Sequence, residues 1–311
     1  MPLSPLPEHP CFPKRTWHLV RVAPFLIFLV LTLAAGHLVQ LVSLILVPVS
    51  RRAFRCVNTF LVRLWFSWCV VLSRWVNGAR IVLTGDDIPE LESAIVVLNH
   101  QSATDMPLIM TLAWAKRRVG DIKWFAKYPV KFIPFIGWGL HFVDTIFVRR
   151  DWHSDRERLE RTFRRLVGSR LPMWVISFSE GTRLTAAKLA RAREYARDRR
   201  LAVPTHVLVP RTKGFVASVQ RLRGQVDAVY DVTIGYVGGV PSLWQYIRGF
   251  ASVAHLHVRR YPLTELAESP EALASWLHER FHEKDQLLDW FYSHGSFPGD
   301  PHRDLGDGSP A

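Results

Sequence analysis

The chain has 311 residues, of which 49% are hydrophobic and 22% are charged, and 40 Lys and Arg against 27 Asp and Glu give a formal net charge of +13. This many apolar residues exclude an intrinsically disordered chain, and only three cysteines, without metal-type spacing, exclude a disulfide-stapled secreted domain. The positive charge indicates nucleic acid, an anionic membrane surface or a phosphorylated substrate as the partner. Composition does not choose among these three classes.

The first element is an uncharged stretch from Val22 to Ser50. Because about 20 apolar residues span a bilayer, the stretch predicts a transmembrane helix, tilted or broken at Gly36. A buried core helix and a cleaved signal peptide are the less favoured interpretations of the same residues. Arg51, Arg52 and Arg55 follow directly and predict that the rest of the chain is on the cytoplasmic side of the membrane, although Lys14, Arg15 and Arg21 on the other side of the stretch compete with them.

A second apolar pattern, from Val57 to Trp75, recurs at helical spacing, with Arg63, Ser67 and Arg74 on the opposite face. It is uninterrupted only over the ten residues from Leu64 to Ser73, which is too short to span a bilayer. We therefore expect an amphipathic helix that lies along the lipid headgroups.

Beyond Gly78, short β-branched runs alternate with helical patterns, which predicts an α/β sheet covered by helices. The predicted strands are Arg80–Thr84, Ala94–Leu98, Ile122–Phe125, Thr145–Val148, Trp174–Phe178, Val207–Val209, Val226–Ile234 and Val253–Arg259. The predicted helices are Asp105–Arg117, Ser154–Val167 with Ser154 as its cap, Ala186–Arg199, Phe215–Leu222 and Glu271–Tyr292. The predicted divisions of the chain are a disordered tail (1–16), a membrane segment (17–78), the main α/β domain (79–237), a C-terminal strand–helix module (238–293) and a disordered tail (294–311).

The first chemical motif, Asn99 to Asp105, directly follows the predicted strand Ala94–Leu98. A histidine at a strand end, with an aspartate five residues later at the start of a helix, can fold so that the carboxylate binds one imidazole nitrogen. The other nitrogen of His100 is then free to act as a general base on a substrate hydroxyl. The same spacing occurs at His302 and Asp307 in the predicted tail, so the strand-end context carries the prediction rather than the spacing.

Three basic segments also follow predicted strands: 147–150, 178–183 and 210–214. In the second of them, Gly181 would let backbone N–H groups approach an anion and Arg183 could bind a phosphate with two hydrogen bonds. An ordinary turn with a solvated arginine is the alternative interpretation. Because ligands bind at the carboxyl ends of strands in open α/β sheets, three basic segments there predict a site for a phosphorylated ligand.

In this order, the four segments resemble the motifs of the glycerolipid acyltransferase family, which comprises the 1-acylglycerol-3-phosphate O-acyltransferases and their lysophospholipid acyltransferase relatives. The matching motifs are N-H-x4-D at 99–105, F-V-R-R at 147–150, E-G-T-R at 180–183 and V-P-R-T-K-G at 209–214. Further similarity to one branch, which includes bacterial inner-membrane homologues, extends the resemblance over residues 80 to 292. Ser179 departs from the family, which commonly has proline before E-G-T-R.

The resemblance implies a glycerolipid-acyltransferase-like sheet and a membrane-bound enzyme whose catalytic domain is 79–237. The enzyme would transfer a fatty acyl group from acyl-CoA or acyl carrier protein to the sn-2 hydroxyl of a lysophospholipid, with lysophosphatidic acid as the favoured acceptor. His100 would be the general base and Asp105 would orient it. The residues implied to bind the substrate are Arg150, Glu180, Gly181, Thr182, Arg183, Pro210 and Lys213.

The same resemblance implies no cofactor and no metal, because a thioester is already activated. The expected partners are the lysophospholipid, the acyl donor and an anionic membrane, without nucleic acid. The expected location is the bacterial inner membrane, with the catalytic domain facing the cytoplasm.

Two other functions remain as alternatives. Residues 278–282 read H-E-R-F-H, the H-E-x-x-H spacing of zinc proteases on a predicted helix, which would make the chain a membrane-anchored metalloprotease. His278 and His282 would still need a third protein ligand for zinc, and no H-x-x-G-x-x-H continuation follows. A membrane-tethered nucleic-acid-binding protein is suggested by net charge alone, and acidic residues interrupt the basic run 191–200 as in a solvated helix face.

Overall fold

The computed structural model describes residues 4–7, 12–78, 80–149, 152–250, 253–301 and 303–305. The strands are β1 (Arg80–Gly85), β2 (Ala94–Leu98), β3 (Ile122–Lys127), β4 (Ile146–Val148), β5 (Trp174–Phe178), β6 (Ala228–Tyr236), β7 (Val253–Pro262) and β8 (Arg303–Asp304). The helices are α1 (Phe12–Val42), α2 (Arg51–Asn77), α3 (Asp105–Ala115), α4 (Ile136–Phe142), α5 (Trp152–Ser169), α6 (Ala186–Asp198), α7 (Thr212–Leu222), α8 (Leu243–Ile247) and α9 (Pro270–His294).

Within the described residues, the eight strands form one mixed sheet in the order β4-β3-β5-β2-β6-β7-β1-β8. The strands from β4 to β6 in this order pair in parallel, whereas β7 is antiparallel to β6 and parallel to β1, and β8 is antiparallel to β1. Every residue of β2 is buried, which explains why a continuous β-branched run rather than an alternating pattern forms this central strand. The predicted fold class, an α/β sheet covered by helices, is confirmed.

Successive side chains of the central strands point to opposite faces of the sheet and enter two hydrophobic cores. Val96 and Ile176 belong to the core that α2 and α3 cover. Ile95 and Val175 belong to the core that α5, α7 and α9 cover. The sheet is therefore the middle layer of three.

α1 and α2 form an antiparallel helical hairpin. The Trp65 indole N–H donates to the carbonyl of Leu29 over 3.1 Å, and the rings of Phe28 and Trp68 lie 5.4 Å apart. α1 continues without a break through Gly36. By length and composition, two stretches, 20–46 and 51–75, could each cross a membrane.

α2 differs from the predicted amphipathic helix in length and in orientation. It is continuous over 27 residues, and Phe66 and Val70 are buried in the core beneath the sheet. Arg63 is half-exposed and lies 3.8 Å from a carboxylate oxygen of the buried Asp121. On the opposite side, the side chains of Phe60, Leu64, Trp68 and Trp75 are each at least 40% exposed.

The predicted strands are confirmed, with shifts of one to three residues at some ends, except for Val207–Val209, which lies in a loop. The backbone N–H groups of residues 205 to 207 donate to the carboxylate of Asp285 on α9 instead of to a neighbouring strand. Ser154 is not a helix cap, because α5 begins at Trp152 and Ser154 lies inside it. The short helices α4 and α8 carry too few residues for a periodic pattern and were not predicted.

The sheet also includes residues from the predicted C-terminal module and from the predicted C-terminal tail. The strand of the predicted module 238–293 is β7, which is hydrogen-bonded between β6 and β1 in the same sheet as the strands of 79–237. The segment 294–305 is not a disordered tail over its described residues, since Phe297 is buried and β8 pairs with β1. At the other end, α1 already begins at Phe12, and the N–H of Leu6 donates to the carbonyl of Val240.

Candidate active site

The candidate site lies at the carboxyl ends of two neighbouring parallel strands. β2 and β5 are in register with Leu98 opposite Phe178. His100 and Glu180 each follow two residues later, so the pairing brings the N-H-x4-D and E-G-T-R motifs to one edge of the sheet. This is the edge where open α/β sheets bind ligands.

At this edge, His100 and Asp105 form the predicted pair. The Nδ1 of His100 and the Oδ2 of Asp105 are 2.8 Å apart. The same carboxylate oxygen accepts the backbone N–H groups of Gln101 over 2.8 Å and Ser102 over 3.0 Å, which folds the loop around it. Among the described residues, the Nε2 of His100 has no hydrogen-bond partner. A neutral imidazole with Nδ1–H directed to a carboxylate has a basic Nε2.

Tyr236, at the end of β6, completes the shell of Asp105 and was not predicted. Its hydroxyl donates to the Oδ1 of Asp105 and is 2.8 Å from the hydroxyl of Thr104. Asp105 is completely buried, so no water reaches its carboxylate oxygens. The hydrogen bonds from these donors take the place of hydration. Burial, followed by the charge of Asp105, raises the pKa of Tyr236, so this hydroxyl keeps its proton.

The loop between β2 and α3 is also fixed by side chains distant in sequence. Asn99 binds the main chain of Ile234 with both amide groups, accepting over 2.8 Å and donating over 3.0 Å. Gln101 donates to the hydroxyl of Tyr292 on α9 over 3.0 Å. The ring of His100 stacks on Phe178, with 4.2 Å between ring centroids. The imidazole is thus held on one face by a ring and at one nitrogen by a carboxylate.

Glu180 lies inside the protein rather than at the surface. It is 3% exposed, and burial raises the pKa of its carboxyl group well above the usual 4.5, although backbone hydrogen bonds from Leu208 and His100 favour the charged form. The carboxyl group therefore links the loop after β5 to the main chain of His100. This geometry favours a role in positioning the catalytic loop over direct contact with substrate.

Gly181 has a positive φ of +70°, which an L-residue rarely adopts. A Cβ at this position would also lie 3.0 Å from the Cδ of Arg211, so the side chain of Arg211 passes directly over the turn. The backbone N–H of Arg211 donates to the carbonyl of Ser179 over 2.7 Å. The V-P-R-T-K-G segment thus reaches the site through a loop–loop contact, although it does not follow a strand.

The structure brings most of the remaining predicted residues to the same edge. Arg183 and Lys213 are exposed, and Pro210 is buried in the loop before α7. The hydroxyl of Thr182 accepts a hydrogen bond from the ammonium group of Lys188 over 2.7 Å. Arg150 lies outside the described residues, as do His302 and Asp307. β4, which Arg150 follows, pairs in parallel with β3 and therefore ends at this edge of the sheet.

A buried ion pair lies behind the site and was not predicted. The ammonium group of Lys284 on α9 is 2.6 Å from a carboxylate oxygen of Asp231 on β6, and both residues are buried. It also donates to the carbonyl of Val232 over 2.7 Å. Burial lowers the pKa of Lys284, whereas Asp231, and to a lesser extent Glu180, raise it. The sequence carries no local signal for this pair, because Lys284 and Asp231 are more than 50 positions apart and lie on different elements.

The H-E-x-x-H residues lie on α9, away from this edge. His282 is exposed and its Nε2 is 3.2 Å from the side-chain amide of Gln286. His278 is partly buried, and burial lowers its pKa. In the part of the chain that the structure describes, no group of three or more His, Cys, Asp or Glu residues could hold a metal ion.

Comparisons with known proteins agree with this architecture. The family model described as acyltransferase matches residues 80–237, and the model described as acyltransferase C-terminus matches residues 245–309. The chain is 35% identical over 279 residues to 1-acyl-sn-glycerol-3-phosphate acyltransferase 2 of Arabidopsis thaliana, a match that covers 88% of this chain and 72% of that protein. It is 35% identical over 269 residues to 1-acyl-sn-glycerol-3-phosphate acyltransferase gamma of Homo sapiens, covering 85% of this chain and 72% of the human protein.

A solved structure shares the fold. The crystal structure of the 1-acyl-sn-glycerophosphate (LPA) acyltransferase PlsC from Thermotoga maritima matches with a TM-score of 0.52 at 19% identity, covering 88% of this chain and 97% of that chain. At this identity the likeness concerns the fold alone. The family model and the relatives establish the rest: the chain belongs to the acyltransferase family that contains the 1-acyl-sn-glycerol-3-phosphate acyltransferases, and it is an acyl-transferring enzyme.

Proposed function

We propose that the chain transfers a fatty acyl group from a thioester, acyl-CoA or acyl carrier protein, to the sn-2 hydroxyl of lysophosphatidic acid, and so forms phosphatidic acid. The observation that carries the proposal is the His100–Asp105 pair, with one imidazole nitrogen bound and the other free, at the edge where the basic segments converge. The names of the relatives support this class of acceptor.

The proposed reaction uses the free Nε2 of His100. It removes the proton of the acceptor hydroxyl while the hydroxyl oxygen attacks the thioester carbonyl. The new C–O bond forms, the C–S bond breaks, and the imidazolium returns its proton to the departing thiolate. Asp105 stabilises the positive charge that His100 carries between these transfers. General-base help of this kind contributes about 10² to 10⁴ in rate, and positioning of the two lipids contributes much of the rest.

The acceptor phosphate would bind the exposed cations at the same edge. Arg183 follows the turn at Gly181, and Lys213 lies in the first turn of α7. Charge-assisted hydrogen bonds from arginine to phosphate provide both affinity and orientation. Arg150 is proposed as a second phosphate ligand from the F-V-R-R motif, while Gly181, Thr182 and Pro210 shape the pocket. The proposed reaction requires no cofactor, because the thioester is already activated.

The hairpin of α1 and α2 would hold the enzyme at the membrane. α1 exposes an apolar face that includes Val30, Leu31 and Leu38, each more than 60% exposed. Because α2 packs lengthwise against the domain, this arrangement favours a hairpin that lies in the membrane surface with its exposed face in the lipid. We place the enzyme at the inner membrane and the domain on its cytoplasmic side, where the acyl donors are.

The full chain, purified in a neutral detergent, tests the proposed reaction. Labelled acyl-CoA and acyl carrier protein are supplied with lysophospholipids that differ in head group, and the labelled diacyl product is measured. We expect transfer to lysophosphatidic acid and a loss of at least about 100-fold in His100→Ala. Absence of transfer to every acceptor would overturn the proposal.

A matched control uses the other histidine pair. His278→Ala with His282→Ala should keep acyl transfer, and a metal chelator should not inhibit the wild-type chain. If the double variant instead loses both transfer and a stoichiometric amount of bound zinc, the metalloprotease alternative is favoured.

A further inference from the structure

A broad groove lined by arginines lies between the start of α2 and the segment from Arg158 to Leu171, which comprises most of α5 and the residues just after it. Its volume is about 1060 Å³. We call it the arginine groove. Eight arginines line it: Arg51, Arg52, Arg55, Arg158, Arg161, Arg164, Arg165 and Arg170. No Asp or Glu is among the lining residues that the structure describes. Arginines collected from two distant segments indicate a site for an anion.

Part of this charge is neutralised by carboxylates at the margin. Asp144 is 3.1 Å from the guanidinium of Arg55 and 3.6 Å from that of Arg165. Glu157 and Asp155 pair with Arg161 and Arg158 in the same way, at 3.4 and 3.6 Å. The remaining four arginines are Arg51, Arg52, Arg164 and Arg170. They make no ion pair with any carboxylate that the structure describes.

The end of the arginine groove at Arg170 and Leu171 is remote from the catalytic edge, whereas its other end, at Arg158, reaches the ring of Tyr128 just after β3. Leu171 lines it and precedes β5, whereas His100 follows the carboxyl end of the neighbouring parallel strand β2. β5 has five residues, so the two ends of the sheet are about 17 Å apart at a rise of about 3.3 Å per residue. An anion bound at the Arg170 end of the groove is therefore not the phosphate of a lysophospholipid positioned for reaction at His100.

The surface beside the groove is apolar. At the end of α1 and in the turn that follows it, the exposed fractions of Val42, Ile45 and Val49 are 64%, 72% and 83%. Arg51 and Arg52 follow this turn directly, so aliphatic side chains and guanidinium groups are adjacent at the tip of the hairpin. A lipid presents the same pairing, with an acyl chain next to a charged headgroup, whereas a water-soluble phosphate does not.

We propose that the arginine groove binds the phosphodiester headgroup of an anionic phospholipid of the bilayer, at a site separate from the catalytic one. The guanidinium groups of Arg164 and Arg170 complete the site from the domain side, opposite Arg51 and Arg52 of the hairpin. The bound lipid would connect the hairpin tip to α5 and fix the tilt of the domain on the membrane.

Binding of short-chain lipids to the full chain in neutral detergent tests this site. Dihexanoylphosphatidylglycerol, titrated below its micelle concentration, is the anionic probe, with dihexanoylphosphatidylcholine as the zwitterionic one and adenosine 3′,5′-bisphosphate as a soluble phosphate. The test variant is Arg164→Gln with Arg170→Gln. The matched control, Arg191→Gln with Arg197→Gln, removes the same charge from the exposed face of α6.

We expect the test variant to bind the phosphatidylglycerol probe about 25-fold more weakly, since each arginine near an anionic lipid is worth about 1 kcal/mol, or fivefold. The control should change the affinity less than twofold, and acyl transfer in micelles should persist in the test variant, which separates this site from the proposed reaction. Arg183→Gln, at the catalytic edge, should leave the affinity unchanged.

Three results would overturn the proposal. The first is equal affinity of the wild type and the test variant for phosphatidylglycerol. The second is an equal loss in the test and control variants, which would indicate net charge alone. The third is displacement of the probe from the wild type by the bisphosphate at equal concentration, which would assign the groove to a soluble phosphate such as that of an acyl donor.

Discussion

Substitutions of Asp105 separate its structural contribution from its proposed catalytic one. Its carboxylate accepts three N–H groups at Oδ2, from His100, Gln101 and Ser102, and the hydroxyl of Tyr236 at Oδ1. In Asp105→Asn, the amide oxygen can occupy the place of Oδ2 and keep these three donors. The amide NH₂ then faces Tyr236, whose hydroxyl can accept it. We therefore expect Asp105→Asn to fold with nearly wild-type stability.

Asp105→Ala should differ sharply in stability. It leaves the backbone N–H groups of Gln101 and Ser102 buried without an acceptor, and each such group costs about 1–3 kcal/mol. The expected loss of about 2–6 kcal/mol corresponds to a fall in Tm on the order of 10 °C. Thermal unfolding of the three chains in the same detergent measures this difference.

Both variants should lose activity to a similar extent. A neutral amide holds the tautomer of His100 but does not compensate the positive charge that the imidazolium acquires. We expect kcat to fall by about 10² to 10⁴ in Asp105→Asn as well as in Asp105→Ala. If Asp105→Asn kept more than a tenth of wild-type kcat, the carboxylate charge would have no catalytic role. If Asp105→Ala unfolded at the wild-type temperature, the loop would not depend on this acceptor.

Three further predictions concern the surroundings of the pair. Lys284→Met should lower the free energy of unfolding by about 3–5 kcal/mol, because it leaves Asp231 buried without its partner, and Lys284→Met with Asp231→Asn should recover part of the loss in a denaturant titration. Since burial raises the pKa of Glu180, the stability contributed by this group is present below its usual pKa of 4.5 and is lost as pH rises towards the raised value. The Tm of Glu180→Gln should therefore increase relative to wild type as the pH is raised from 5, and a constant difference would contradict the buried, protonation-dependent carboxyl group. Arg183→Gln should raise the KM for lysophosphatidic acid about tenfold in initial-rate measurements, whereas an unchanged KM with a lower kcat would confine its role to the transition state.

Much of the candidate site followed from local sequence. His100 and Asp105 are five residues apart across a strand end and a helix start, so their contact closes within one loop. β2 and β5 were predicted with correct ends because buried parallel strands have continuous β-branched runs between polar turns. The four motifs in their order indicated the family, and the comparisons confirmed it.

Tertiary structure decided which part of the protein, or which solvent, each helix and strand is packed against. A periodic apolar pattern shows that a helix has an apolar side but not what covers it, so α2 was predicted against lipid although Phe66 and Val70 lie in the core. Tyr236 reaches Asp105 across 131 residues, and the arginines of α2 and α5 meet across more than 100, so neither association has a local signal. The sequence by itself predicted the contact between His100 and Asp105 and the family of the chain. The packing of the sheet determined which groups hold these two residues in place, because contacts between distant elements depend on the register of strands and helices rather than on spacing along the chain.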